Sequence, residues 1–494
     1  MRNCRVRRLT GGAAVFVGVG ALLVQFAPAA SATKPLSAPV FSSKATVTGK
    51  QGKPLSFTVK TKANPTADVA VVSPLPPGVT FTDNHNGTAT LSDPTPLAGS
   101  YSIGLQATNT TSQANTTDQT VSFTVTSKLP LIRHVFVIML ENQDYSATFG
   151  SPTVDPYLAH TLPSQGALLT NYYGIGHFSN DNYAGFISGQ PPNSANQLDC
   201  LGSGYTDILG GFDEIAGIQQ GAGCVFPSGV TTLANQLDAD GLTWKGYQED
   251  MGNNPTRDNG ITCAHPADGA ASDPTTAAST TDGYTTRHDP FLYFHSIIDN
   301  TGECNQNVVP LGDTSGNMPT GTPAGVTGLT TDLASVATTP NFSFITPNLC
   351  DDGHDATCVN TTGAGQGGGT AVGDIDKWLQ TWVPIIESSP AYQQDGLLEI
   401  TGDEAETPTL DSTACCGETV GPAANSGGNG ITGPGGGVVG AVLLSPSITA
   451  GTVVSKTSYN HYSSLASIED LFGLPRLGEA ATVATTFDKG IFAH

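Results

Sequence analysis

Val135-Phe-Val-Ile-Met-Leu140 is an uninterrupted apolar run with polar residues on both sides. A strand of that kind needs cover on both of its faces, as in a sheet packed between helices. Leu397-Leu-Glu-Ile400 and Val438-Val-Gly-Ala-Val-Leu-Leu444 read as further strands, and Asp374 to Ser388 and Tyr462 to Phe472 read as helices. Strands interleaved with helices predict a three-layer α/β domain with a mainly parallel sheet over residues 128–494. With 59 glycines and 33 prolines the chain is rich in loops, and Gly252–Thr285 and Gly312–Gly328 are the longest candidates.

Two segments precede that domain. Residues 1–32 combine Arg2, Arg5, Arg7 and Arg8, an apolar stretch from Ala13 to Phe26, and small residues ending Ala30-Ser31-Ala32, the pattern of a cleaved export signal. Arg7-Arg8 leaves a twin-arginine route open beside the general one. The stretch is too short and too glycine-interrupted for a membrane anchor, and no later segment is apolar enough to span a bilayer. The chain is therefore expected to be secreted. Residues 33–127 alternate apolar and polar positions in Leu55–Val59, Thr88–Leu91, Tyr101–Leu105 and Val121–Val125, with turn signals at Leu75-Pro-Pro-Gly78 and Asn84-His-Asn-Gly87. The pattern predicts a small β-sandwich, and its residues resemble the Ig-like modules of secreted bacterial proteins. Such a module implies a spacer or a contact with a cell wall or surface.

Eight cysteines remain after Cys4 leaves with the signal, an even set suited to disulfides in an exported chain. Neighbours suggest Cys200–Cys224, Cys263–Cys304 and Cys350–Cys358, leaving Cys415 and Cys416 to pair with each other or to redistribute the set. Charge narrows the partners: 42 acids face 19 bases, and only 12% of residues are charged against roughly 25% in ordinary domains. Without clustered lysine and arginine, nucleic acid is excluded as a partner.

Ligands of α/β sheets bind beyond the carboxyl ends of strands, so the residues after each apolar run matter most. Glu141-Asn142 follows the first run, Asp403-Glu404 the second, and His461 the third at longer range. Any one of these is as readily a helix cap or a loop hydrogen bond. Together they suit a divalent cation.

These residues carry a resemblance. Glu141-Asn142 with Phe149-Gly150 is similar to the E-N-x6-F-G signature of the phosphoesterase family that unites secreted acid phosphatases and phospholipases C within the alkaline phosphatase superfamily. Further matching segments are Gly176-His-Phe-Ser179-Asn-Asp-Asn182-Tyr183, Thr346 to Asp355, Gly402-Asp403-Glu404, and Tyr459-Asn-His461-Tyr462 with Ile468-Glu-Asp470, in the family's order. The resemblance implies a serine nucleophile at Ser179 that forms a phosphoenzyme, with metal positions at Glu141, Asn142, Asp403 and Glu404. It places His354 and His461 near the leaving group or phosphate, and Asn182 and His288 as substrate-binding residues. A helix starting at Ser179 would also aim free N–H groups at the anion. Asp351, Asp352 and Asp355 form a second candidate oxygen set. Oxygen ligands suit Ca, Mg or Mn, while histidine admits Zn or Fe.

The implied activity is that of a metal-dependent acid phosphatase acting on a phosphorylated small molecule or a phospholipid headgroup, silenced by chelators and highest below neutrality. Two departures keep alternatives in view. Asn180-Asp181 follows Ser179 where relatives carry a small residue and Leu-Pro, which suits a catalytically silent surface-binding protein. The glycine-rich continuation of phospholipases C is absent after Asp403-Glu404, which favours phosphomonoesters over the phospholipase C alternative.

Overall fold

The computed structural model describes residues 35–492, apart from 110–114, 151–155, 271–276, 356–369, 407–410, 423–432 and a few single or paired positions. The export signal, Lys128 of the expected linker and Cys358 lie outside the described residues.

The first body is built from two four-stranded sheets. Ser37–Phe41, Leu55–Asn64, Thr88–Asp93 and Thr80–Asp83 form one, and Thr46–Lys50, Asn115–Thr126, Gly99–Asn109 and Asp68–Val71 the other. Alternation along the strands sends Val59, Leu91, Ile103, Leu105 and Val121 into a shared core and leaves threonines and serines outside. The body meets the rest of the chain where Arg133 Nη2 donates to Tyr101 Oη at 3.0 Å and Gln51 Nε2 to the Asp470 carbonyl at 2.9 Å.

The second body carries an eight-stranded sheet in the order Val308–Pro310, Trp244–Gln248, Phe342–Thr346, His134–Leu140, Gly396–Gly402, Ala441–Leu444, Ala167–Leu169, Thr452–Val454. The first five strands run parallel to one another, whereas Ala441–Leu444 is antiparallel to both of its neighbours. The sheet is thus mixed, in keeping with an α/β fold. The expected strand from Val438 is shortened to Ala441–Leu444, because Gly440 takes a φ of 76° that extended backbone excludes.

Every residue of His134–Leu140 is buried, as the apolar run requires. Val135, Val137 and Met139 join Tyr183, Phe186, Tyr462 and Leu465 on one face, while Phe136, Ile138 and Leu140 join Trp378, Leu379 and Trp382 on the other. The second face is covered by the Ala371–Glu387 helix, whose Thr370 cap accepts from Gly373 N and whose stripe Ile375, Trp378, Leu379, Trp382, Val383, Ile386 repeats at helical spacing. Replacing Trp378 by alanine removes a fully buried side chain and is expected to cost about 3–5 kcal/mol. The midpoint shift of chemical denaturation measures it, and a loss under about 1 kcal/mol would show that this layer is loosely packed.

On the first face, the Ser179–Ser188 and His461–Phe472 helices lie over the sheet. The latter begins with a capping box, Asn460 Oδ1 accepting from Ser463 N at 3.0 Å and Ser463 Oγ from Asn460 N at 3.2 Å. Cys200–Cys224 and Cys263–Cys304 form as expected, and Cys415 is bonded to Cys416. The adjacent pair settles the alternative that its spacing left open.

Candidate active site

Parallel register brings the candidate residues together. Leu140 pairs with Gly402, so Glu141 and Asp403 leave adjacent strand ends, and Ile138 pairs with Ile345, which sets Asn348–Asp355 on the other flank. Backbone bonds close the gaps: Glu141 N donates to the Asp352 carbonyl at 2.8 Å and Asp403 N to the Leu140 carbonyl at 2.9 Å. Asn142 turns the chain in the left-handed region at φ 51°, which asparagine tolerates better than most side chains. Its N–H then donates to Asp403 Oδ1 at 3.1 Å, an oxygen that also accepts from Glu404 N at 2.6 Å.

Ser179 is the first residue of its helix, placed there by Phe178 with φ at 74°. Its Oγ donates to Glu141 Oε2 at 3.0 Å. The helix N-terminus is not open as the sequence suggested: Asn180 N donates to Asp199 Oδ1 at 2.9 Å, and Ser179 N bonds the same carboxylate. Asn182 also differs from expectation. Its Oδ1 accepts from Ile175 N at 2.8 Å and Gly176 N at 3.2 Å, while Nδ2 donates to the Gly176 and Phe178 carbonyls at 3.1 and 3.2 Å. A side chain spent in this way shapes the turn that presents Ser179.

Three histidines take distinct places. His288 is buried and stacked on Tyr183 with ring planes 4° apart, with Nε2 3.2 Å from Glu141 Oε1 and Nδ1 3.0 Å from Asp352 Oδ2. Its burial holds the imidazole well below the usual histidine range, helped by the Arg287 charge. His354 is half-buried at the rim, with Nδ1 2.8 Å from Asp355 Oδ1 and Nε2 3.3 Å from Arg287 Nη2. His461 stands behind the strand end, its Nε2 2.6 Å from the Asp403 carbonyl and its Nδ1 3.2 Å from Tyr172 Oη. Burial depresses His461 to about 4, so the ring is neutral and donates from Nε2. Behind it, Tyr172 and Ser464 lead to Glu399, a carboxyl inside the central sheet that burial pushes up to about 7.

Carboxylates dominate what remains. Burial raises Glu141, Asp181, Asp352 and Asp403 well above the usual carboxylate range, and repulsion by acidic neighbours adds to burial at each. Glu404 is raised by burial as well, and its Oε2 lies 2.7 Å from His177 Nδ1. His177 Nε2 in turn sits 2.8 Å from the Asp411 carbonyl.

The residues present fit a divalent cation. Asp403 Oδ2 is buried with no hydrogen-bond partner, and Glu141, His288 and His354 each offer a ligand atom, all lying within 4.8 Å of one another. Buried carboxylate oxygens facing imidazole nitrogens are the donor set of such an ion, and without it they repel. Of the expected metal set, Glu141 and Asp403 meet directly, Glu404 is turned toward His177, and Asn142 contributes a backbone N–H.

Asp199, Arg287 and His177 entered the site without a prior role. His177 stood in the matching segment two residues before Ser179, and Arg287 immediately before His288, and that adjacency was their signal. Asp199 had none, because its approach to the Ser179 helix depends on the left-handed turn at φ 50° before Cys200.

The model of the family described as "Phosphoesterase family" matches residues 156–475. A probable acid phosphatase of Kluyveromyces lactis is 24% identical over 70% of this chain and 59% of its own length. An acid phosphatase of Aspergillus fumigatus is 26% identical over 69% of this chain and 55% of its own. The chain therefore spans a little over half the length of these curated relatives. A solved alkaline phosphatase superfamily protein from Vibrio parahaemolyticus aligns over 70% of this chain and 68% of its own, at 12% identity and a TM-score of 0.37.

Proposed function

Because the chain belongs to the phosphoesterase family, we propose that this site is a metal-dependent phosphatase that hydrolyses phosphate monoesters through a phosphoserine at Ser179. The observation that carries the reading is the 3.0 Å hydrogen bond from Ser179 Oγ to Glu141 Oε2, inside a carboxylate cluster that suits a cation. The acid phosphatase names of the relatives support it.

A divalent cation bound among Glu141, Asp403, His288 and His354 would offset the carboxylate charge and lower the pKa of the serine hydroxyl. Ser179 Oγ passes its proton toward Glu141 Oε2 and attacks phosphorus, and the ester oxygen departs. His354, oriented by Asp355 at Nδ1, belongs to the group that would hold the cation, and the departing oxygen takes up a proton from water. A water then attacks phosphorus and loses a proton to solvent, the O–P bond to Ser179 breaks as Oγ takes back the proton held by Glu141, and phosphate leaves. His461 and Asn182 act as positioning residues, the first on the Asp403 backbone and the second on the turn before Ser179. Asp181, buried in the first turn of the nucleophile helix, stays protonated well above ordinary carboxylate pH and so repels phosphate least in acid.

Export is part of the proposal, with the Ig-like reading of the β-sandwich as a surface-facing module. Among the described residues no helix is long and apolar enough to cross a membrane.

The test is hydrolysis of p-nitrophenyl phosphate by the mature chain supplied with Mn, Zn, Mg, Ca or Fe(II), and again after chelation. Turnover that is highest below neutrality and lost with chelator is expected. Release of phosphocholine from phosphatidylcholine with no monoester turnover would favour the phospholipase C alternative. Inertness under all metals would leave a binding protein.

A further inference from the structure

Among the six carboxylates gathered around Ser179, one guanidinium is buried. Arg287 is 5% exposed, and its charge acts on Asp199 and Asp352. Its Nη1 donates to Thr285 Oγ1 at 2.9 Å, its Nη2 lies 3.3 Å from His354 Nε2, and its Nε lies 3.6 Å from Asp199 Oδ2. Asp199 is the same carboxylate that covers the N-terminus of the nucleophile helix. His354 groups with Glu141 and His288, whose candidate ligand atoms all lie within 4.8 Å of one another, and Glu141 accepts the Ser179 Oγ hydrogen bond. The guanidinium therefore borders the reacting centre from two sides.

A phosphate monoester brings several anionic oxygens, and each needs a donor in the transition state. Helix N–H groups are the usual source, but here Asp199 already takes those of Ser179 and Asn180. Asn182 is spent on its own turn, and neutral His461 faces the Asp403 backbone. A planar guanidinium keeps its charge at every working pH and matches phosphate oxygens with paired N–H groups. The run Thr286–His288 forms a short 3-10 turn that delivers Arg287 and His288 to the same site from one segment.

We propose that Arg287 is a catalytic residue that donates to the non-bridging oxygens of the phosphoryl group, with Asp199 holding the guanidinium in place between turnovers. The assignment rests on the phosphatase reading of the site.

The experiment compares wild type, Arg287→Ala and Arg287→Lys, each loaded with metal and with metal content measured. The Arg287→Ala variant should lose about a hundredfold or more in kcat/KM for p-nitrophenyl phosphate, with inhibition by inorganic phosphate and vanadate weakened in parallel. Arg287→Lys should retain an intermediate level, and added guanidinium ion should restore part of the Arg287→Ala activity. A residue that only supports the fold would show neither anion-specific weakening nor rescue. Lost turnover with unchanged phosphate and vanadate inhibition, or unchanged turnover, overturns the assignment while leaving the phosphatase reading intact. An inert, metal-loaded wild type overturns the phosphatase reading itself.

Discussion

Replacing Ser179 by alanine should lower p-nitrophenyl phosphate turnover about a thousandfold or more, because it removes the hydroxyl proposed to accept the phosphoryl group. Ser179 is 1% exposed, and its Oγ donates to Glu141 Oε2. The substitution removes one oxygen from a buried polar site and leaves the helix start intact, since the backbone N–H of Ser179 still meets Asp199. Metal content and thermal midpoint should therefore stay close to wild type. Rapid quenching of the wild type with a labelled monoester should trap phosphate on Ser179, and the variant should trap none. Equal turnover in the two proteins would remove the nucleophile from the mechanism, and label trapped on another residue would move it.

Chelation should make stability strongly pH-dependent. Glu141, Asp181, Asp352 and Asp403 have folded pKa values raised well above those of the free side chains, chiefly by burial. A raised carboxyl is protonated in the folded chain where it is ionised in the unfolded one. Its contribution to stability is full below the unfolded pKa, near 4, and is lost as pH climbs through the folded value. The metal-free protein should accordingly melt several degrees lower at pH 8 than at pH 5. Cation binding requires the deprotonated ligands, so added metal should stabilise more at pH 8 than at pH 5. At a hundred times its dissociation constant an ion adds about 2.7 kcal/mol. A midpoint that rises with pH in the chelated protein, or one that metal shifts equally at both pH values, would show that these carboxyls do not share a cation.

Three strands of the sheet, and the gathering of Glu141 and Asp403 at their ends, were legible because they follow from local rules. A run such as Val135–Leu140, six apolar residues between polar flanks, suits a doubly covered strand, and Glu141 and Asp403 follow two such strands. The helices Ala371–Glu387 and His461–Phe472 announced themselves by spacing to within a few residues. What was not legible depended on side-chain direction and on distant segments. Asn182 lies one turn past Ser179, yet the bends at Ile175–Phe178 draw its amide inward. His461 shares a segment with matching residues, yet its ring ends behind Asp403. Arg287 and Asp199 meet across most of a domain, and their pairing follows from loops whose course no periodicity encodes.

The antiparallel strand Ala441–Leu444 lies directly beside Gly396–Gly402, so the whole excursion from Asp403 to Gly440 leaves the sheet and returns to it as one hairpin loop. Its root carries Asp403 and Glu404, and Asp411 meets His177 through its backbone carbonyl. Doubling the length of such a loop costs only about 0.6 kcal/mol in closure entropy. Length changes in this loop should therefore be tolerated only where they keep its described anchors, buried Glu418 and the hydrogen bond from Thr419 Oγ1 to Glu479 Oε1.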